Sequence, residues 1–327
     1  MNKKNLMLDR RQAQGLAAGM FGASALDTLA GCSDGPSETA SNGGSDAAQT
    51  SSTDIDKDAF DKLVATVEPA DDATIEANAW AKAIKEAGTF RLGATRTSVL
   101  FSQLDETTGK VYGFDAAIYL SLVRYILGDE TKYDYTQMTS DTRESVLQND
   151  NVDAVFATYS INEKRKEVIS FAGPYFTTQQ GILVAADNQD INGLDDLKGK
   201  KVAVQSGSTG PSIVKEEAPK AIQKQYKTDE EARAALEQHR VDAYIIDQTM
   251  QMGSMISNPG KYRLLKQLIG PKDNYGIGLP KDSDAVAFVN AWLQKVEDDG
   301  VWEKLWKVCM GTRIGQKTAP KPPAIED

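Results

Sequence analysis

From residue 90 onward the chain alternates between short apolar runs and longer segments with helical spacing. Phe90-Arg91-Leu92-Gly93-Ala94 predicts a strand, and Phe114 to Leu127 a helix with Ala117, Leu120 and Tyr125 turned inward. Lys132 to Gln137 predicts a strand, Asp141 to Gln148 a helix and Val152 to Phe156 a strand. Strands that alternate with helices argue for a parallel, doubly wound sheet. A second unit follows Gly181-Ile182-Leu183-Val184-Ala185, with a helical turn leading into a strand over Leu194 to Val204, a strand at Val241 to Ile246 and a helix at Asp247 to Ile256. The chain then returns through Asn274 to Pro280 into helices at Ser283 to Val296 and Val301 to Met310. Upstream, residues 55–88 read helical, with Phe60, Leu63, Val64 and Val67 on one face, Ile75, Trp80 and Ile84 on another, and a break at Pro69 and Asp71-Asp72. The tail at 314–327, with Pro320, Pro322 and Pro323 among Ala and Lys, is expected to be loose.

A length of 327 residues argues for two domains. The net charge of −10 speaks against broad nucleic-acid binding, which shows a basic face. It also means that any anion site must be built from specific local cations. With only Cys32 and Cys309, neither a disulfide framework nor a cysteine metal site is available. Cys309 ends an amphipathic segment and reads as a buried, inert thiol. The single histidine, His239, reads as an exposed turn residue, so no metal or cofactor is called for.

The N-terminus carries an address. Lys3, Lys4, Arg10 and Arg11 precede a short, weakly apolar stretch from Gly15 to Leu26. Leu29-Ala30-Gly31-Cys32 then resembles the lipobox of a lipoprotein signal peptide, so residues 1–32 are expected to direct export and Cys32 to carry lipid. The Arg10-Arg11 pair also suits the twin-arginine route, though Gln12-Ala13-Gln14 lacks the bulky apolar residues that usually follow. Residues 33–54 hold no aliphatic larger than alanine, cannot bury enough to order themselves, and would make a tether of roughly 25 Å mean reach. No later stretch approaches the roughly 18 apolar residues of a membrane span. An extracytoplasmic head, anchored by lipid to the membrane rather than threaded through it, is the expectation.

The chemistry concentrates in four places. In residues 157–175, Thr158, Ser160 and Arg165 gather at the carboxyl end of a strand, where a small anion can be gripped without any catalytic group. By spacing alone Arg165 belongs more readily to the exposed run Glu163-Lys164-Arg165-Lys166-Glu167. Val204-Gln205-Ser206-Gly207-Ser208-Thr209-Gly210 lies between a strand and a helix, where small residues let backbone N–H groups approach an anion, although many such loops are plain turns. Asp247, at a strand's carboxyl end, could serve as a helix N-cap. Arg143 could pair with Asp141 or Glu144 on a helix surface, an arrangement worth little.

The run Ser160-Ile161 with Arg165, together with Phe171 to Tyr175, resembles the signature of the family 3 extracellular solute-binding proteins, which capture polar amino acids for ATP-driven importers. The resemblance covers about residues 89–313 and is nearest to the glutamate/aspartate-binding members. It implies an α/β fold, a two-lobed clamp of the type II periplasmic-binding-protein kind, each lobe a doubly wound, mainly parallel sheet flanked by helices. Residues 89–184 plus 276–313 would form one lobe and 185–275 the other, with crossings near 183–187 and 273–277. It implies that Arg165 forks onto the ligand's α-carboxylate with help from Ser160, and that Thr158 and Asp247 take the α-ammonium. Ser208 and Thr209 fall at the contact positions of the family's Ser-Gly-Thr-Thr loop. Arg96 and Arg143 would hold a side-chain carboxylate, and Ser140, where relatives often carry a stacking aromatic, would open a polar corner for it. The partners implied are an amino-acid ligand and the permease subunits of an ABC importer, with the head a monomer and not an enzyme. Binding of another polar amino acid such as glutamine, or a same-fold cyclohexadienyl dehydratase, are the alternatives. A receptor's sensing head is disfavoured because no span or cytoplasmic module follows residue 313.

Overall fold

The computed structural model describes residues 54–326. The expected export signal with Cys32, and the tether up to residue 53, lie outside the described residues. Two long strands organise the head: Ser170–Ala185 and Ile269–Leu279, antiparallel to each other. On one side of this pair lies a parallel trio, in the order Tyr133–Gln137, Phe90–Ala94, Ala154–Phe156. On the other side lies a second trio, Ala243–Asp247, Lys201–Gln205, Ile222–Tyr226, again parallel internally. The short strand Tyr262–Leu264 adds to the second unit by pairing with Ser170–Ala185. The molecule is therefore a two-lobed α/β clamp in which two strands run through both lobes.

Strand side chains sort by alternation. In the first lobe Phe90, Leu92, Ala154 and Phe156 face the large core under helices Phe114–Leu127 and Ala285–Asp298, while Val155 faces a smaller cluster with Met138, Leu147 and Tyr159. In the second lobe Ile182, Val202, Val204 and Ile245 line one face, and Leu183, Ala203, Tyr244 and Ile246 the other. Both faces of each sheet are covered, so the strands read as continuous apolar runs. Helix Phe114–Leu127 is buried nearly all round; Ala117 is fully buried, and Leu120 and Tyr125 are half-buried and pack on the core, as expected.

Helices Lys57–Ala65, Asp72–Glu76 and Ala79–Ala87 begin at Asp56, Asp71 and Asn78, whose side chains each accept from a backbone N–H of the first turn. They pack on the first lobe through Phe60, Val64, Ile75 and Ile84. Cys309 is fully buried, and burial pushes its thiol well above the usual range. His239 is an exposed turn residue with φ +53°. Among the described residues no helix is long and apolar enough to cross a membrane.

Two expectations need correction. The first crossing lies at Thr177–Gln179 rather than near 183–187, because Ile182, Leu183 and Val184 are wholly buried in the second lobe. The tail is not loose. Ile314, Ala319 and Ile325 pack on the first-lobe core, the Glu326 N–H donates to the Gly173 carbonyl at 2.9 Å, and the Asn290 amide donates to the Glu326 carbonyl at 3.0 Å. Its prolines favour an extended path with little entropy left to lose on docking. Truncation after residue 318 is expected to lower the unfolding free energy by about 2 kcal/mol, the scale of a part-buried isoleucine and two hydrogen bonds. Urea denaturation of the two chains measures it, and unchanged midpoints would contradict the docking.

Candidate functional site

The cleft opens between the lobes with a volume of about 720 Å³. Its lining includes Ser140, Glu144 and Arg165 from one lobe, Gly207, Ser208 and Thr209 from the other, and Asp273 on the second crossing strand. Arg165 sits in the one-turn helix Glu163–Lys166, capped by the Asn162 side chain, which accepts from the Arg165 N–H at 2.9 Å. That turn leaves Glu163 and Lys164 in solvent and drives Arg165 inward, so the exposed-run reading fails.

Arg165 and Arg143 converge. Arg165 donates through Nη1 to the Ser160 carbonyl at 2.6 Å and through Nη2 to the Gly207 carbonyl at 2.7 Å. Arg143 donates to the Ala157 carbonyl at 3.1 Å and to the same Gly207 carbonyl at 3.0 Å. The Tyr159 ring lies 4.0 Å from the Arg143 guanidinium carbon and 5.1 Å from that of Arg165, where its negative face offsets some like-charge repulsion. Glu144 stands 3.4 Å from Arg165 Nε. Arg143, 2% exposed, makes no ion pair among the described residues, and its buried Nε has no hydrogen-bond partner. Burial, and then Arg165, bring its guanidinium down to about 10, so it remains charged at neutral pH. The surface-pair reading of Arg143 fails, since its bonds are to main-chain carbonyls.

The shared acceptor comes from the other lobe. Gly207 has φ +70°, and a Cβ there would lie 2.6 Å from the Ser140 carbonyl oxygen and 2.7 Å from Asp141 Oδ1. Only glycine lets this turn press so closely on the first lobe.

A pole of opposite sign faces the arginines. Gln180 Nε2 donates to Asp247 Oδ1 and, at 3.1 Å, to Thr209 Oγ1, which in turn donates to Asp273 Oδ2 at 2.9 Å. Ser160 and Thr209 oppose the rise that burial imposes on the Asp273 carboxyl. Burial, and then the neighbouring Asp273, push Asp247 up to about 8 against opposing pulls from Tyr275, Arg143 and Arg165. Burial likewise raises Asp273. Asp247 occupies the N-cap position of helix Gln248–Ser257 but makes no capping bond, so the dual role is not found.

The remaining expected residues divide. Ser208 lines the cleft, but its hydroxyl donates to the Gln205 carbonyl at 2.7 Å and accepts from the Gly210 N–H, which shapes its own turn. Thr158 is committed elsewhere. Its N–H donates to Asp115 Oδ2 at 2.9 Å and its hydroxyl to the Ala157 carbonyl at 2.8 Å. Asp115, held also by the Tyr175 hydroxyl, is raised to about 6 by burial. Arg96 stacks on the Tyr135 ring at 3.5 Å, has a buried Nε without a partner, and is not among the residues lining the cleft. Tyr159, Gln180, Gly207 and Asp273 were not anticipated as site residues. For Asp273 the only signal was its place at the start of the second crossing, expected near 273–277.

With the geometry in hand, comparison with known proteins gives the class. The pattern of the bacterial extracellular solute-binding proteins, family 3, matches residues 90–311, and the chain belongs to that family. It is similar to the ABC transporter glutamine-binding protein of Bacillus subtilis, 33% identical over 227 residues, 69% of this chain and 82% of that protein. It is also similar to the glutamate-binding protein of Corynebacterium glutamicum, 35% identical over 186 residues, 54% of this chain and 62% of that protein. Among solved structures, an ancestral arginine-binding protein bound to glutamine superposes with a TM-score of 0.62 at 33% identity, covering 68% of this chain and 99% of that one.

Two outcomes follow from the geometry. A raised carboxyl keeps its proton in the folded protein after the unfolded chain has lost it. Its contribution to stability is thus greatest at low pH and declines as pH rises from 3.8 to about 8. Asp247→Asn is expected to flatten that decline in the thermal midpoint of the ligand-free head between pH 5 and 8; an unchanged slope would refute the assignment. Gly207→Ala is expected to weaken ligand affinity at least tenfold in calorimetry, because the added methyl holds the lobes apart.

Proposed function

We propose that the chain is an extracytoplasmic solute-binding protein that delivers an acidic amino acid, glutamate or aspartate, to an ABC importer and performs no catalysis. The observation that carries this reading is Arg143: a buried guanidinium without an ion pair among the described residues, beside a second buried guanidinium, both directed at one backbone oxygen. An uncompensated buried charge is strongly unfavourable, and a carboxylate arriving at that point supplies the missing counter-charge. Each charge-assisted bond it accepts is worth about 1.5–3 kcal/mol. The ligand's ammonium would then be drawn to the acidic patch that Asp247 and Asp273 form. Arg165 already stands beside Glu144, so Arg143 is the cation that a net-anionic amino acid would neutralise, and Arg96 would add to it only by swinging from Tyr135 on binding.

Ligand bridging of the two poles would favour the closed clamp by its differential affinity, and a permease would read that state. Lipid on Cys32 would anchor the head, as a monomer, to the membrane. The names of the similar proteins include both glutamine and glutamate binders, and the buried unpaired arginine is what favours the acid.

Titration calorimetry with glutamate, aspartate, glutamine and arginine tests the reading. Glutamate or aspartate is expected to bind most tightly, and Arg143→Ala or Arg165→Ala to weaken it roughly 10- to 150-fold, the equivalent of one charge-assisted bond. Preference for glutamine would overturn the acidic specificity but leave the carrier role. Turnover of a cyclohexadienyl carboxylate would overturn the non-catalytic assignment.

A further inference from the structure

The cleft described above holds more acceptors than one carboxylate provides. Asp247, the expected ammonium partner, is not among the residues lining the cleft, and its Oδ1 is occupied by the Gln180 amide. Asp273 does line the cleft, alongside Arg165, and is 8% exposed. The two acids are joined through Gln180 Nε2 and the Thr209 hydroxyl, so all four side chains form one connected patch. Within that patch Gln180, which is fully buried, has an Oε1 with no hydrogen-bond partner among the described residues. A buried acceptor without a donor is costly, and so are two buried carboxylates side by side. The nearby guanidinium groups donate to the Ser160, Ala157 and Gly207 carbonyls instead.

An ammonium group supplies what this patch lacks: one positive charge and three N–H donors. We propose that Asp273, positioned by Thr209 and accompanied by Gln180 Oε1, is a second ammonium-binding carboxylate that makes the cleft select α-amino acids over dicarboxylates of the same length. This rests on the reading that the cleft takes an acidic amino acid. It adds that Asp273 acts mainly by exclusion. A solute lacking the amine leaves the two buried acids without a counter-charge and Gln180 Oε1 without a donor, which is rejection by unpaired groups rather than by shape.

The test compares L-glutamate with glutarate, its deamino analogue, by calorimetry on the whole head. Wild type is expected to prefer glutamate by at least 100-fold. Asp273→Asn should weaken glutamate at least tenfold while leaving glutarate unchanged or tighter, so that the ratio collapses. Equal loss for both solutes would show a purely structural role and overturn the proposal. If the variant does not fold, wild type decides alone, since glutarate binding as tightly as glutamate overturns the proposal. If wild type binds glutamine and not glutamate, the acidic reading fails, and the comparison of glutamine with glutaramate still decides the role of Asp273.

Discussion

Two buried guanidinium groups that meet at one main-chain oxygen set the terms for the rest of this cleft. Arg143 and Arg165 belong to different helices of the first lobe, and their shared acceptor, the Gly207 carbonyl, belongs to the second. Like charges at that proximity persist only where the surroundings compensate. Here the compensation comes from carbonyl dipoles, the Tyr159 ring and Glu144. A carbonyl carries a partial charge where a carboxylate carries a full one, so the contact that brings the lobes together is also the contact a bound anion would displace.

The opposite pole lies on the strands that connect the lobes. Gln180 follows the first crossing, Asp273 sits on the second, and Asp247 ends the strand that pairs with Ser170–Ala185. Changing the angle between the lobes therefore changes the distances within the acidic patch and between it and the arginines. This gives a physical route by which filling the cleft biases lobe closure, since a ligand shifts such an equilibrium only through contacts that differ between the two states. Both chain ends described here pack on the first lobe, the N-terminal helices through Phe60 and Ile75 and the tail through Ile325, so the second lobe carries no such additional restraint.

Much of the scaffold was legible in the chain, because burial on both faces of a parallel sheet writes itself as apolar runs. Phe90–Ala94 was read to the residue. Helix Phe114–Leu127 was placed correctly and Ala117, Leu120 and Tyr125 do pack on the core, but its other buried positions were not read, because a helix covered on nearly all sides has no single apolar stripe. The tail was misjudged for a related reason. Proline and lysine mark a segment as unable to form its own structure, but say nothing about whether a neighbouring lobe offers a groove for it.

Local order set the strands and helices and the one-turn helix that delivers Arg165, since each depends on neighbours within a few residues. What Arg143, Gln180 and Asp273 do was decided only in the folded molecule. Their partners lie tens of residues away, and whether a charged side chain is a solvated surface group or a buried one in need of a counter-ion depends on what folds over it.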